Sequence, residues 1–222
     1  VGPTSRLRVA YLEAGAGPTT VVLLHANVVS SLIFQDFILA LSPLGPYRVL
    51  APDLRGFGAS QVLSVDATRG LRDFADDLAS WAEALQLASF HVLGWSMGSN
   101  VAVQYALDYP GRLRSLALEA PGSPFGYLGT KDAVGTPTWP DYAGSGGGTV
   151  HPDFLRNLAQ QDRGSSPAAP RSVLGTYYLR PGFPLPPDWE DLYVDVFLST
   201  ALGPDNYPGD SEASLNCPQA AN

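Results

Sequence analysis

Of the 222 residues, one is cysteine, one is methionine and three are histidine. The lone Cys217 excludes a disulfide framework and a thiolate metal site. Lys131 is the single lysine among 13 basic residues, and the arginines are scattered. At a net charge of −8, the chain has no basic stripe to offer nucleic acid or an anionic membrane surface. Charged residues are scarce too, at 15%, yet no apolar run approaches the ~18 residues of a membrane span. There is no Asn-x-Ser/Thr sequon, and residues 1–10 carry no signal-peptide pattern. Together these absences make the cytoplasm the expected location.

Apolar residues make up 45%, enough for one large core or two small ones. Residues 1–122 alternate between two periodicities. Short β-branched runs fall at 8–13, 21–24, 47–51, 90–93 and 113–118, the last four nearly continuous in apolar residues, as parallel strands covered on both faces are. Helical spacing fills the gaps. Ser30 and Ser31 are placed to cap a helix carrying Ile33, Phe34, Phe37, Ile38 and Leu41. Leu71, Phe74, Leu78, Trp81 and Leu85 follow i, i+3, i+4, i+7, with Arg72, Asp73, Asp76 and Asp77 on the opposite face. Residues 100–109 read as a third helix, ended by Pro110-Gly111. The order predicts an α/β fold with a mainly parallel, doubly wound sheet.

After Gly122 the 23 glycines and 20 prolines of the chain concentrate. They separate three helical stretches near 152–161, 172–179 and 188–200, and the chain ends in a polar stretch. We therefore expect two parts: a sheet domain over 1–122, and a mostly helical cap with its tail over 123–222.

The strongest chemical signal is Gly94-Trp95-Ser96-Met97-Gly98, lying between an apolar strand and a helix. A turn this tight leaves no room for side chains at Gly94 and Gly98. It lifts the Ser96 hydroxyl above the sheet edge and leaves the Met97 N–H at the positive start of a helix, ready for an oxyanion. The strand 21–24 runs into His25-Ala26-Asn27, where the Asn27 N–H is placed to be the second donor. The segment from Asp53 to Ser60 follows the next strand, and Tyr109-Pro110-Gly111-Arg112-Leu113 starts another.

The runs L-L-H-A-N, D-L-R-G-F-G-A-S, G-W-S-M-G and Y-P-G-R-L, in this order and spacing over residues 8–122, resemble the α/β-hydrolase superfamily, its serine branch with a helical cap. Ala26 departs from the glycine usual there. The resemblance implies a Ser96 nucleophile, an oxyanion hole from the Asn27 and Met97 N–H groups, a small-molecule substrate, and no cofactor or metal. It implies a carboxylic ester or lactone as substrate. The alternatives are a proline-iminopeptidase-like or C–C-bond hydrolase, and a non-catalytic ligand-binding homologue.

The base is the difficulty. His25 precedes the oxyanion loop and reads as its brace, His91 sits on the strand feeding the elbow, and His151 lies in the cap. The family order is Ser, acid, His, with the His after the last strand, so we expect the base and the last strands beyond residue 222. Glu119, ending the strand 113–118, is the candidate acid. Among the cap aromatics and elbow neighbours, Trp95 and Trp139 are candidates to line a substrate pocket. A sheet lacking its last strands would expose an edge around Leu116, inviting a homodimer.

Overall fold

The computed structural model describes residues 2–123, 129–141, 143–144, 150–209 and 215–216. At its start β1 (Gly2–Pro3) and β2 (Arg8–Val9) form a small antiparallel ladder. The main sheet has five strands: β3 (Tyr11–Ala14), β4 (Thr19–Leu24), β5 (Tyr47–Pro52), β6 (Phe90–Trp95) and β7 (Leu113–Glu119). Their order is β3-β5-β4-β6-β7, with β3 antiparallel and the other neighbours parallel. The expected first strand over 8–13 breaks at Ala10, whose N–H donates to Ser60 Oγ and whose carbonyl accepts from the Asp53 N–H.

A 3-10 turn over Ser31–Phe34 leads into α1 (Gln35–Leu41), and α2 (Arg72–Ala84) and α3 (Met97–Asp108) complete the first part. The expected serine cap does not form. Ser30 Oγ is buried with no hydrogen-bond partner among the described residues, and the Ser31 N–H is taken by Asp53 Oδ1 at 2.7 Å. Helix α3 begins at Met97, three residues earlier than its apolar spacing indicates, because the elbow itself starts the helix.

The charged face of α2 is not left to solvent. Asp73 and Asp77 are buried. Arg55 grips Asp77 with two bonds, Nε to Oδ2 at 2.5 Å and Nη2 to Oδ1 at 2.8 Å, and Arg6 Nε adds a third at 2.7 Å. Arg69 holds Asp73 and Asp76 at 2.5 and 2.7 Å. The other face of α2 delivers Phe74, Leu78 and Trp81 to a core shared with Val22, Leu24, Leu50, Val92 and Tyr105.

In the second part, α4 (Pro152–Ala159), α5 (Pro170–Val173) and α6 (Pro187–Leu198) match the three expected stretches, with one turn of π-helix over Leu174–Tyr178 continuing α5. Their apolar side chains do not form a separate core. Phe154, Leu158, Leu174, Val194 and Phe197 pack on Ala26, Val28 and Val29, the loop leaving β4. The chain then returns to the sheet part through β8 (Leu202–Gly203) and β9 (Tyr207–Pro208), with the Ala201 N–H donating to Gly56 O and the Val65 N–H to Asp205 O, each at 2.8 Å. Of the aromatic residues expected in the cap, Phe125, Tyr127 and Tyr142 lie outside the described residues, as does most of the glycine run after Gly144. Among the described residues no helix is long and apolar enough to cross a membrane.

Candidate active site

The turn from β6 to α3 is as tight as its glycines require. A Cβ on Gly94 would stand 2.4 Å from the Gly98 carbonyl oxygen, and one on Gly98 would stand 2.2 Å from the oxygen of Leu24. Ser96 between them has φ 53°, ψ −116°, a conformation L-residues avoid at a cost of about 1–3 kcal/mol. Hydrogen bonds from three directions hold it there. The Ser96 N–H donates to Glu119 O at 2.9 Å, and the Ser96 carbonyl accepts from the Ser99 N–H at 2.9 Å. Ser99 Oγ clamps the turn from within, at 2.5 Å to Gly94 O and 3.1 Å to Glu119 O. Ser96 Oγ itself has no hydrogen-bond partner among the described residues.

Gly98 presses the elbow against the end of β4, so the loop from His25 to Val29 is its immediate neighbour. Val28 there has φ 54°, rare for a β-branched residue, and its N–H is occupied by Asn27 Oδ1 at 3.0 Å. Neither the Asn27 N–H nor the Met97 N–H donates to a described group.

Two buried side chains fix this loop. His25 Nδ1 lies 2.8 Å from Ala26 O, and Nε2 accepts from the Leu54 N–H at 2.9 Å. Complete burial holds the imidazole below its ordinary pKa, against the opposing pull of the Ala26 carbonyl and Asp53. Asp53 Oδ1 takes the Ser31 N–H and Oδ2 takes the Ala59 N–H at 2.9 Å. Gly58, at φ +57°, must lack a side chain, since a Cβ would stand 2.2 Å from Asp53 Oδ2.

The structure brings Ser96, Met97, the Ala26–Asn27 loop and Glu119 to the carboxyl ends of β4, β6 and β7, where open parallel sheets bind their ligands. Glu119 meets Ser96 through its backbone; its side chain is exposed and has no hydrogen-bond partner among the described residues. The Trp95 ring packs between Phe34, at 6.4 Å, and Tyr178 of the cap, at 5.7 Å. Trp139 is apart, on Ala143 in a small apolar cluster of its own. His91 Nδ1 faces Ser115 Oγ at 2.8 Å across the strands, and His151 Nδ1 caps α4 by accepting from the Asp153 N–H at 3.2 Å. None of the three histidines bonds to Ser96. Among the described residues no three His, Cys, Asp or Glu side chains converge as a metal site would require.

Sequence alone gives Asp53 as the start of a motif without a role, and gives Ser99 none. Asp53 was visible as an acid directly after a strand and before a glycine turn; Ser99 had no signal beyond following the elbow.

A serine on a strained strand-to-helix turn, at the carboxyl end of a parallel sheet and beside two undonated backbone N–H groups, defines the class of α/β hydrolases. The chain belongs to that family: residues 19–205 match the model of the alpha/beta hydrolase fold. Over 114 residues it is 33% identical to a 2-hydroxy-6-oxo-6-phenylhexa-2,4-dienoate hydrolase of Comamonas testosteroni, half of this chain and 39% of that protein. Over 119 residues it is equally similar to a 2-hydroxy-6-oxononadienedioate/2-hydroxy-6-oxononatrienedioate hydrolase of Escherichia coli, 53% of this chain and 41% of the relative. The matches thus span about two fifths of those relatives' lengths. Among solved structures, an esterase of Exiguobacterium antarcticum superposes with a TM-score of 0.60 at 19% identity, over 88% of this chain and 65% of the esterase. The enol-lactonase of Burkholderia xenovorans LB400 does so with a TM-score of 0.59 at 18% identity, over 89% and 66%. Both likenesses are of fold.

Proposed function

We propose that the protein is a serine hydrolase that cleaves a carboxylic ester or lactone through an acyl-Ser96 intermediate. The observation that carries this reading is the strained Ser96 turn, with its hydroxyl unengaged next to the undonated Met97 N–H. Ser96 Oγ attacks the acyl carbon, and the carbonyl oxygen takes up charge between the Asn27 and Met97 N–H groups. The alkoxide leaves with the proton taken from Ser96, and water then releases the acid. The base that carries this proton is none of the three histidines, so the reading requires one from outside the described residues. Glu119, at the end of β7, is the proposed acid that orients it. Trp95, beside the serine, is proposed to form part of the substrate wall; Trp139 has no such support from its position. Work in the cytoplasm fits a chain with a single cysteine.

A second reading has its own support, the 33% identity to dienoate hydrolases whose names denote substrates with an oxo-dienoate chain. The same elbow would then add to a ketone and break a C–C bond. To decide, the protein produced from its own gene is treated with a fluorophosphonate and weighed intact, then assayed on p-nitrophenyl acetate and on a 2-hydroxy-6-oxo-dienoate. A single adduct, lost in Ser96→Ala, together with faster ester turnover supports the esterase. Faster dienoate turnover selects the C–C hydrolase, and no adduct with no turnover leaves a binding protein.

A further inference from the structure

We infer that Asn100, in the first turn of α3, is a positioning residue for the Glu119 carboxylate, acting on the chain where it leaves β7. The inference rests on the serine-hydrolase reading above, with Glu119 as its acid. That carboxylate has no hydrogen-bond partner among the described residues, so its aim is set by the backbone beneath it. On the incoming side this backbone is well fixed. Trp95 and Glu119 are partners in the β6–β7 ladder, and the Glu119 carbonyl accepts from the Ser96 N–H at 2.9 Å and from Ser99 Oγ at 3.1 Å. On the outgoing side the ladder ends. Ala120 turns the chain at φ 42°, a left-handed conformation that L-residues avoid and that a residue before proline, here Pro121, has further reason to avoid.

Asn100 holds the far end of that turn. Its Oδ1 accepts from the Gly122 N–H at 2.9 Å. The carboxamide lies so close to Gly122 that a Cβ there would stand 3.1 Å from Nδ2 and 3.2 Å from Oδ1. Without this bond Ala120 can relax toward the extended region that residues before proline prefer, and Glu119, one residue earlier, loses its fixed outgoing chain. The helix does not need this side chain for itself. Asparagine is a poor residue for a helix, and the Asn100 N–H already donates within the turn, to Ser96 O at 3.4 Å. The two fastenings come from successive residues: Ser99 grips the Glu119 carbonyl and Asn100 grips Gly122, both in the first turn of the helix that Ser96 opens. Nucleophile and acid are thereby registered on one rigid element.

A double-mutant cycle separates positioning from packing. In the protein produced from its own gene, Asn100→Leu keeps the bulk of the side chain and removes the acceptor. It is expected to lower kcat on p-nitrophenyl acetate about tenfold with KM unchanged, as a small misplacement of an orienting group does. Asn100→Asp keeps an acceptor oxygen for the Gly122 N–H and is expected to hold kcat within about threefold of wild type. Because Asn100 acts through Glu119, the Leu substitution should cost nothing further once Glu119→Gln has removed the carboxylate. Equal losses with and without Glu119→Gln would overturn the inference, as would an Asp variant no better than Leu, or Glu119→Gln at wild-type kcat. Where Asn100→Leu fails to fold, Gly122→Ala tests the same bond from the loop, since its Cβ would push the carboxamide aside. A lowered kcat that disappears on top of Glu119→Gln supports the inference, and an unchanged kcat sinks it. Failure of the serine-hydrolase reading is separately visible, as ester turnover that survives Ser96→Ala.

Discussion

At Ser96 the backbone is held where glycine would rest more easily. Ser96→Gly is therefore expected to raise stability by about 1 kcal/mol, the relieved strain exceeding the extra freedom glycine gives the unfolded chain. A higher denaturation midpoint with fluorophosphonate labelling abolished would express the strain directly; a lower midpoint would count against it. The turn was legible because Gly94 and Gly98 are needed by sterics alone. His25 was readable as a brace but not its partners, since Ala26 O and the Leu54 N–H meet only when β4 and β5 lie side by side. Val28 was not legible at all. Nothing in the run from Leu24 to Val29 indicates that a valine, of all residues, adopts φ 54°. Its side chain packs with the cap residues around Phe197, and tertiary packing of that kind overrides a local preference.

Among the elements, α2 holds the largest surprise. Its apolar spacing gives one face correctly and sets the acidic residues on the other. Sequence offers no means of seeing that Arg55, in a loop after β5, folds over that face, or that Arg6 arrives from the first strands. Asp77→Ala is expected to destabilise by about 3 kcal/mol, because it leaves the Arg55 guanidinium buried without its two-point partner. A urea midpoint within error of wild type would contradict this. Asp76 gives the same element an acid limit. Burial works against its charge, but the Tyr109 hydroxyl at 2.6 Å and Arg69 prevail and hold the carboxyl below its ordinary value. Such a lowered carboxyl contributes stability in full above the unfolded value of roughly 3.9, and the contribution is lost as pH falls through the folded value. Asp76→Asn should flatten that part of the stability–pH curve; a curve unchanged below pH 4 would show that other carboxyls dominate. The α1 cap was misread for a related reason: Asp53, remote in sequence, reaches the Ser31 N–H before the local serines do.

For the molecule as a whole, the alternation of strands and helices was enough to give the sheet, and the four motifs gave its family. The division at residue 122 was harder to judge, because the second part does not stand alone. It packs on the loop that carries Asn27, and the segment after Thr200 returns to bond with Gly56 and Val65. The far side of the sheet presents a different problem. Among the described residues strand β7 pairs with β6 on one side only, and its residues from Arg114 to Glu119 are exposed, Leu116 and Leu118 among them. An open edge with apolar side chains favours pairing with another chain. We propose that the 222-residue polypeptide, prepared by itself, associates with a second copy through β7. Light scattering should give a mass above 23.5 kDa that falls toward it in Leu116→Lys; a monodisperse monomer would refute the pairing.

The row of rings from Phe34 through Trp95, Tyr178 and Phe197 to Phe154 crosses from the sheet to the cap without a break. Tyr178, whose burial pushes its phenol up to about 12, stays neutral beside Trp95 at any ordinary pH. The indole one residue before the serine is half-buried against Tyr178, so lifting the cap would wet it; a difference spectrum against Trp95→Phe, needed because Trp81, Trp139 and Trp189 also emit, would then move to the red.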